Sequence, residues 1–347
     1  MPYRDLLDRL EGDLSPGGPV VALPDGSVDT YYRVFEGRET PIRTRTGFAE
    51  LVMDSRTSSV RVESLSREAG GQAVNLARQV DALDVPVELY GHLDDSVFDS
   101  LALPSSSMGT PAAVRVYDFE DDDLMISEDS ADVATWSFED LRAVSGAVEA
   151  VEAAAVLAVV NWVSVSGMDA ALHDLATLDL GGTTVVLDPG DLTGCSEGAL
   201  VGLLESLRRL ADETRVVTST NAAETAVLAA AAGVSEEGIG GRLAGLRDRA
   251  GLAAAVSHER DRAAAATAEG TVRVPNLATS RVERRTGGGD RFDGALAAAL
   301  AAGWDWTSAL ALANACASRF VGTAETAGVD DLLEFLRTAS FPDPDDG

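Results

Sequence analysis

The sequence predicts an α/β fold in which a doubly wound parallel sheet is flanked by helices and carries a small β-rich addition. From residue 153 onward, short apolar runs alternate with longer segments of helical periodicity, a pattern typical of crossover units in parallel sheets. Between residues 28 and 66, apolar and polar residues alternate in places, which favours half-exposed strands. A chain of 347 residues can bury one large core, and we expect a single domain over 1–347.

The predicted elements begin with a strand at Val20–Leu23 that ends at a Pro-Asp-Gly turn. A helix is predicted over 71–83 and a strand over 85–90. An acidic stretch, 118–123, is predicted as a hairpin tip or exposed loop. Further strands are predicted at 112–117, 124–126, 155–160, 183–187, 214–218, 252–256 and 271–274. Further helices are predicted at 168–176, 197–210, 222–231, 236–250, 289–302, 306–320 and 329–338.

The charge of the chain is strongly acidic. It has 57 Asp and Glu residues against 27 basic residues, a net charge of −30, and every basic residue is Arg. Such a charge repels nucleic acid and anionic membranes, so neither is expected as a partner. Acidic surfaces without lysine also predict a halophilic, salt-adapted protein, and an acidic protein of an ordinary mesophile is the alternative.

The cysteines and histidines give no sign of a metal centre. Cys195 and Cys316 lie far apart and are predicted to be free and buried in a reducing cytosol. The three histidines form no cluster, so zinc chemistry is not expected. No apolar run reaches the roughly 18 residues of a membrane span. The charged N-terminus lacks the apolar core of a secretion signal, and a cytoplasmic location is therefore expected.

The most informative segment is a glycine-rich stretch, Thr286-Gly287-Gly288-Gly289-Asp290, followed by an apolar run of helical periodicity. Three glycines let the backbone turn sharply and approach a ligand closely. The free N–H groups and the dipole at the start of a helix favour binding of a phosphate. A carboxylate at that point fits a base that takes the proton of an acceptor hydroxyl during phosphoryl transfer. The alternative is a simple turn with Asp290 as a helix cap.

A second segment, GGQAVN at residues 70–75, opens a predicted helix with Gly70 and Gly71. The amide of Asn75 in the first turn can donate to and accept from sugar hydroxyls. Asp29 follows the first strand, at the edge of an open α/β sheet where ligands bind. Because glycine pairs before helices are common, a purely structural helix start is the alternative for this segment.

A third segment reads NAAE, from Asn221 to Glu224, just after a predicted strand. Residues three apart at the start of a helix lie on one face. They can orient water around a Mg²⁺ that bridges phosphates. The alternative is a helix cap with Glu224 in the first turn.

Together and in this order, the three segments resemble the ribokinase-like (PfkB) family of carbohydrate kinases. That family shows an early GG-x-x-x-N element, a central N-x-x-E element and a late D-T-x-G-A-G-D element, and this chain reads GGQAVN, NAAE and RRTGGGD. The resemblance spans residues 20 to about 322, with weaker echoes at 91–96 and 187–190.

The resemblance implies a Rossmann-like domain with a small β-sheet lid formed by residues 28–66 and 110–128. It implies a kinase that transfers the terminal phosphoryl group of ATP to a hydroxyl of a small sugar or sugar acid, with Mg²⁺ and a lid that excludes water. Lid strands of this family often pair between subunits, so a homodimer through the lid is also implied. The implied catalytic residues are Asp290 as the base and Gly287, Gly288 and Gly289 as the anion hole. The other implied site residues are Asp29, Gly70, Gly71 and Asn75 for the acceptor, Asn221, Ser257, Thr286, Gly287, Gly289 and Asn314 for the nucleotide, and Asn221 and Glu224 for Mg²⁺ through water.

Three features depart from the family pattern. Arg284 occupies the position of the first Asp of the late element, which puts a monovalent-cation site in doubt. The nucleotide loop at 257–262 has no glycine, so its side chains should crowd the phosphates unless Arg260 or Arg262 supplies charge instead. About 40 residues separate the acceptor Asp from the glycine pair, which predicts an enlarged lid.

These departures leave several alternatives open. The acceptor could be a nucleoside, which aromatic side chains near residues 31 and 117 could stack on, or a sugar phosphate bound by arginines of the lid. The altered nucleotide loop does not exclude ADP as the donor. A relative that binds sugar or nucleotide without catalysing transfer is the alternative outside the kinases.

Overall fold

A computed structural model describes residues 2–12, 14–121, 123–128 and 130–341. The strands, in chain order, are β1 (Val20–Leu23), β2 (Ser27–Glu36), β3 (Thr40–Pro41), β4 (Arg61–Gly70), β5 (Val87–Gly91), β6 (Ser105–Ser107), β7 (Ala112–Tyr117), β8 (Leu124–Glu128), β9 (Val156–Val160), β10 (Thr184–Asp188), β11 (Arg215–Thr220), β12 (Ala254–His258), β13 (Arg262–Thr267) and β14 (Gly270–Pro275). The helices are α1 (Pro2–Leu10), α2 (Arg45–Met53), α3 (Gln72–Ala82), α4 (Ala131–Thr135), α5 (Phe138–Ala143), α6 (Ala147–Ala153), α7 (Met168–Leu175), α8 (Glu197–Ala211), α9 (Ala222–Ala231), α10 (Ile239–Ala250), α11 (Gly288–Ala301), α12 (Trp306–Thr323) and α13 (Val329–Thr338).

The large sheet has the strand order β14-β13-β12-β11-β10-β9-β1-β5-β6. The pairs from β12 through to β6 are parallel, while β13 pairs antiparallel with β12 and β14 pairs antiparallel with β13. Strand β9, with the sequence VLAVV, is buried along its whole length. A continuous apolar run of this kind is typical of a parallel strand covered on both faces. The predicted α/β class with a parallel sheet and flanking helices is confirmed.

Each face of the large sheet is covered by its own group of helices. Helices α1, α3, α11, α12 and α13 contribute to one hydrophobic core cluster. Helices α5 to α10 contribute to the cluster on the other face. No helix of the described residues is long and apolar enough to cross a membrane.

The small sheet is formed by the segments that the sequence predicts as a lid, and it is called the lid below. Strand β2 lies at its centre, antiparallel to β4 and parallel to β7, while β8 pairs with β7 and β3 with the far end of β2. Helix α2 lies between β3 and β4 within the lengthened segment, where the sequence predicts only strands. None of its nine residues is buried, and its apolar residues at 48, 51 and 52 span little more than one turn, which is too short a pattern to predict a helix. Its Phe48 stacks on Tyr117 of β7, with ring centroids 5.8 Å apart.

Several elements differ from the sequence prediction for identifiable reasons. Helices α4, α5 and α6 are only five to seven residues long, too short to show a clear period. Strand β13 (RAAAAT) is rich in alanine, a weak strand former, and is held by antiparallel pairing with β12 and β14. The predicted helix at 236–250 begins later, at Ile239. The single-domain division over 1–347 stays a prediction, and its last six residues lie outside the described part.

Candidate active site

The site lies where three helices begin beside the carboxyl ends of parallel strands. Helices α3, α9 and α11 start near the ends of β1, β10 and β11. Ligands bind at this edge of open α/β sheets because helix N-termini and strand ends leave polar backbone groups there. The three sequence segments singled out above each supply one of these helix starts.

The turn before α11 has the shape that its glycines predict. Gly287 has a φ of +88°, a left-handed conformation that strains any residue with a side chain, and α11 begins at Gly288. The N–H of Gly288 donates to the carbonyl of Arg285 at 3.0 Å. Gly289 and Asp290 lie in the first helical turn, where N–H groups have no acceptor within the helix. The predicted anion hole therefore loses one of its three donors, because the Gly288 amide is engaged within the turn itself.

Asp290 is joined to the early segment by a direct hydrogen bond. The side-chain amide of Asn75 on α3 donates to Asp290 Oδ2 at 2.8 Å, across 215 positions of sequence. Helices α3 and α11 pack against each other, which holds the two side chains together. The structure therefore brings the predicted base beside a predicted acceptor-binding residue.

The surroundings of Asp290 favour proton uptake near neutral pH. Burial raises the pKa of Asp290 to about 7, against the positive charge of Arg291 and the hydrogen bond from Asn75, which lower it. The carboxylates of Asp188 and Asp25 act in the same direction as burial. A carboxylate with a pKa near the working pH is well suited to act as a general base.

The acceptor end of the site is built around Asp29 on β2. Its carboxylate accepts a hydrogen bond from Ser27 Oγ at 2.6 Å, and burial raises its pKa. A Cβ on Gly70 would lie 2.2 Å from Asp29 Oδ2, so only glycine leaves room for this carboxylate. Gly71 precedes α3, whose first turn carries Asn75. All four predicted acceptor residues therefore lie in one region.

Two buried carboxylates of the site are not among the predicted residues. Asp25, after β1, accepts from the N–H groups of Gln72 and Ala73 at 3.1 and 2.7 Å and from Asn161 Nδ2 at 2.9 Å. Asp188, at the end of β10, accepts from Gln72 Nε2 at 2.9 Å. Their signals in the sequence are the Pro-Asp-Gly turn and the Leu-Asp-Pro-Gly echo at 187–190, each a strand end followed by a carboxylate.

Three contacts join the lid to residues 284–290, which are called the catalytic turn below because they contain the predicted base. Arg284 forms an ion pair with Glu68 of β4 at 3.1 Å, and its guanidinium lies 4.5 Å from the ring centroid of Tyr31 on β2. Thr286 Oγ1 donates to Asp123 Oδ2 at 3.3 Å. The acidic stretch at 118–123 lies between β7 and β8 as expected, but one of its carboxylates reaches the catalytic turn rather than only solvent.

A cleft of about 850 Å³ opens on the other side of the catalytic turn. Among its lining residues are Asn221, Thr286, Gly289 and Asn314, four of the predicted nucleotide residues. The buried Asn314 donates its side-chain amide to the carbonyl of Val274 at 3.0 Å, so it anchors β14 as well as lining the cleft.

Two of the predicted nucleotide residues do not line this cleft, namely Gly287 and Ser257. Ser257 lies deeper. It is fully buried in β12, and its hydroxyl has no hydrogen-bond partner among the described residues. The cleft is lined instead by the next residues, His258 to Asp261.

The glycine-free loop forms the tight connection between β12 and β13. Arg262 pairs with its neighbour Asp261 at 2.7 Å, so its charge is already engaged. Arg260 and, on the opposite wall, Arg285 line the cleft. The ring of His258 packs against Gly289, where a Cβ would lie 3.2 Å from His258 Cε1. Of the two arginines considered from the sequence, Arg260 is therefore the one that faces the nucleotide cleft.

Asn221 and Glu224 form a complete capping box at the start of α9. Asn221 Oδ1 accepts from the N–H of Glu224 at 3.0 Å, and Glu224 Oε2 accepts from the N–H of Asn221 at 2.8 Å. Burial, with a contribution from the carboxylates of Asp188 and Asp191, raises the pKa of Glu224 to about 7. The described residues contain no group of three or more His, Cys, Asp or Glu arranged to hold a metal by themselves. The helix cap, which is the alternative interpretation of the segment from Asn221 to Glu224, is thus present.

Comparison with known structures gives the same fold. A phosphofructokinase-2 mutant of Escherichia coli superposes with a TM-score of 0.69 at 14% identity, covering 93% of this chain and 99% of that one. A ribokinase of Arabidopsis thaliana, solved with ribose and ATP, gives a TM-score of 0.66 at 17% identity over 92% of this chain and 99% of that one. At these identities the likeness shows the fold alone.

Comparison of sequences goes further. A ketohexokinase of Haloferax volcanii is 29% identical over 340 residues, which cover 92% of this chain and 91% of that protein. The family profile described as prokaryotic ketohexokinase matches residues 8–338. The chain therefore belongs to the prokaryotic ketohexokinase family, and it is a carbohydrate kinase, a phosphotransferase with an alcohol group as acceptor.

Proposed function

We propose that this kinase transfers the terminal phosphoryl group of ATP to a hydroxyl of a neutral ketohexose. The observation that carries the proposal is the position of Asp290, hydrogen-bonded to Asn75 on the acceptor side and next to the cleft lined by Gly289 on the other. The matched protein of Haloferax volcanii is a ketohexokinase, and the Arabidopsis ribokinase was solved with ATP. Both relatives support the choice of substrates.

Asp290 is the general base in this proposal. Its carboxylate takes the proton of the acceptor hydroxyl as the oxygen attacks the terminal phosphorus atom, while the bond from that phosphorus to the bridging oxygen breaks and ADP leaves. The first-turn amide of Gly289 and the dipole of α11 stabilise the charge that spreads over the transferring oxygens. The strands of the lid, which include β2 with Asp29, exclude water, which would otherwise compete as the acceptor.

The charges beside Asp29 favour a neutral acceptor over a sugar acid or sugar phosphate. Asp25 and Glu68 both act to raise the pKa of Asp29, so three carboxylates lie close together. Two cations act on Asp29, and both are engaged elsewhere: Arg284 is paired with Glu68, and Arg78 donates to the carbonyl of Ala69. A second anionic group would meet this repulsion, whereas sugar hydroxyls can donate hydrogen bonds to the carboxylates.

Mg²⁺ fits the donor side of the site through carboxylate oxygens and water. The charge of Asp188 contributes to the raised pKa of Glu224, and a hard cation held by Glu224 through water would relieve this repulsion. Bound there, Mg²⁺ would neutralise the negative charge of the phosphates. Asn221 orients Glu224 through their capping contacts.

The test is a transfer assay of the full chain in high-salt buffer. ATP and ADP are each combined with neutral ketoses and aldoses, sugar acids, sugar phosphates and nucleosides, with Mg²⁺ present. We expect ATP with a ketohexose to give the highest kcat/KM. Transfer only to a sugar phosphate or nucleoside would contradict the acceptor, and no transfer to any alcohol would contradict the activity.

Asp290→Asn is the matched variant for this assay. It keeps the size of the side chain and a hydrogen-bonding oxygen but cannot take up the proton. We expect kcat to fall by at least about 10²-fold. An unchanged kcat would remove Asp290 from the mechanism.

We also propose a homodimer formed through the lid. Val62 and Leu65 of β4 and Met125 and Ile126 of β8 are large apolar side chains exposed on the outer strands of the lid sheet. Burying them against a second lid would remove this apolar surface from water. Light scattering at the mass of one chain over a wide concentration range would exclude the dimer. A cytoplasmic location stays a prediction.

A further inference from the structure

Arg291, the residue directly after Asp290, is almost completely buried beneath the catalytic turn. Its side chain is only 6% exposed. Nε donates to Thr326 Oγ1 at 2.9 Å, and the guanidinium lies 4.4 Å from the ring centroid of Phe320. Nη1 lies 3.5 Å from the point where a Cβ would stand on Gly287, so it faces the backbone of the turn.

This guanidinium lacks the partners that usually accompany a buried charge. Nη1 is buried without a hydrogen-bond partner among the described residues. No carboxylate of those residues forms an ion pair with Arg291. Removing an ion from water is unfavourable, and a buried donor without a hydrogen-bond partner adds to this penalty. A buried guanidinium without these partners is unfavourable, which indicates that Arg291 has a function in the catalytic turn.

The charges around Asp290 show what that role is. Three charged groups act on Asp290: the carboxylates of Asp25 and Asp188 at the ends of β1 and β10, and the guanidinium of Arg291. The charge of Asp290 in turn contributes to the raised pKa of the buried Asp293 of α11. The groups facing Arg291 itself are Asp290, Arg78, Arg284 and Tyr31. Arg78 donates to the carbonyl of Ala69 and Arg284 pairs with Glu68, so both are engaged elsewhere. Arg291 is the cation that acts on the base.

We propose that Arg291 is a positioning residue of this kinase: its buried guanidinium, packed between Phe320 and the Gly287 turn directly after Asp290, places a fixed positive charge that favours the carboxylate form of the base. The inference rests on the proposed role of Asp290 as the base. The burial of Asp290 and its carboxylate neighbours both oppose ionisation, and Arg291 together with Asn75 offsets them. The base is then ionised near neutral pH despite its surroundings.

Arg291→Met separates this role from simple packing. Methionine keeps an apolar stem against Phe320 and removes the unpaired charge, so we expect a melting temperature equal to or above that of the wild type. Without the cation, the pKa of Asp290 rises. The acid limb of kcat/KM against pH should therefore move upward by roughly 1 pH unit or more.

Two further variants complete the experiment. Arg291→Lys keeps the charge and should keep the acid limb of the wild type, although its kcat falls because the planar guanidinium is lost. Arg319→Gln is the matched control, since Arg319 also has a buried Nη1 without a partner but does not act on Asp290. Its acid limb should stay in place.

The measurements distinguish a failure of the inference on Arg291 from a failure of the proposed function. A lower melting temperature with an unmoved acid limb in Arg291→Met would show that Arg291 serves packing alone, and would overturn the inference. An equal shift in Arg319→Gln would overturn it as well. A wild-type chain without transfer activity, or an active Asp290→Asn, would instead contradict the proposed function.

Discussion

At Gly70 the absence of a side chain leaves room for the carboxylate of Asp29. A Cβ there would lie 2.2 Å from one carboxylate oxygen and 2.4 Å from its carbon, far inside contact distance. Gly70→Ala must therefore displace Asp29 from the acceptor site. We expect KM for the sugar to rise about tenfold or more while KM for ATP stays unchanged, measured by steady-state kinetics.

Gly182→Ala is the control at the residue scale, because a Cβ there meets no atom within 4 Å. Its kinetic constants should match those of the wild type. Equal changes in both KM values of Gly70→Ala would mean that the substitution disturbs the whole cleft, and would contradict a role confined to the acceptor.

At the scale of elements, the lid and the catalytic turn are coupled through Arg284. This side chain lies between Glu68 of β4, Tyr31 of β2 and the turn that leads into α11. Arg284→Gln removes the ion pair and the contact with the ring, so the lid should close less often over the acceptor. We expect KM for the sugar to rise and ATP hydrolysis in the absence of sugar to increase severalfold, because water gains access.

Arg281→Gln is the matched control for the lid prediction. Arg281 lies three residues earlier and pairs with Glu283 at 2.6 Å, within its own segment and away from the lid strands. The uncoupled hydrolysis should stay at the wild-type rate in this variant. The coupling through Arg284 would be contradicted if Arg284→Gln hydrolysed ATP without sugar no faster than Arg281→Gln.

At the scale of the whole molecule, the net charge of −30 opposes compaction. Ion pairs such as Arg43–Glu120 and Arg115–Glu128 join exposed side chains and contribute little. Salt shortens the range of repulsion from about 10 Å at 0.1 M to about 3 Å at 1 M. The melting temperature should therefore rise between about 0.1 M and about 2 M KCl. The rise should shrink near the pI of about 4.3, and a flat response at neutral pH would contradict salt adaptation.

The sequence by itself determined the fold class and the helix starts that carry the chemistry. Period-two and helical patterns are local properties, and the glycines at 287–289 require a sharp turn wherever the chain places them. The order of three short motifs was enough to predict a carbohydrate kinase. Helix α2 escaped prediction because it is only nine residues long and contains a glycine, and β13 because its alanines favour helix over strand.

Only the tertiary structure decided which charged and polar side chains contact each other. Asp290 and Asn75 are 215 positions apart, Arg284 and Glu68 are 216 apart, and Asp25 and Asn161 are 136 apart. The contacts of Arg291 with Phe320 and Thr326 depend on how α11 packs against α12. Such pairs depend on the packing of distant elements, because Coulomb forces and desolvation vary with distance and burial, which no local pattern encodes.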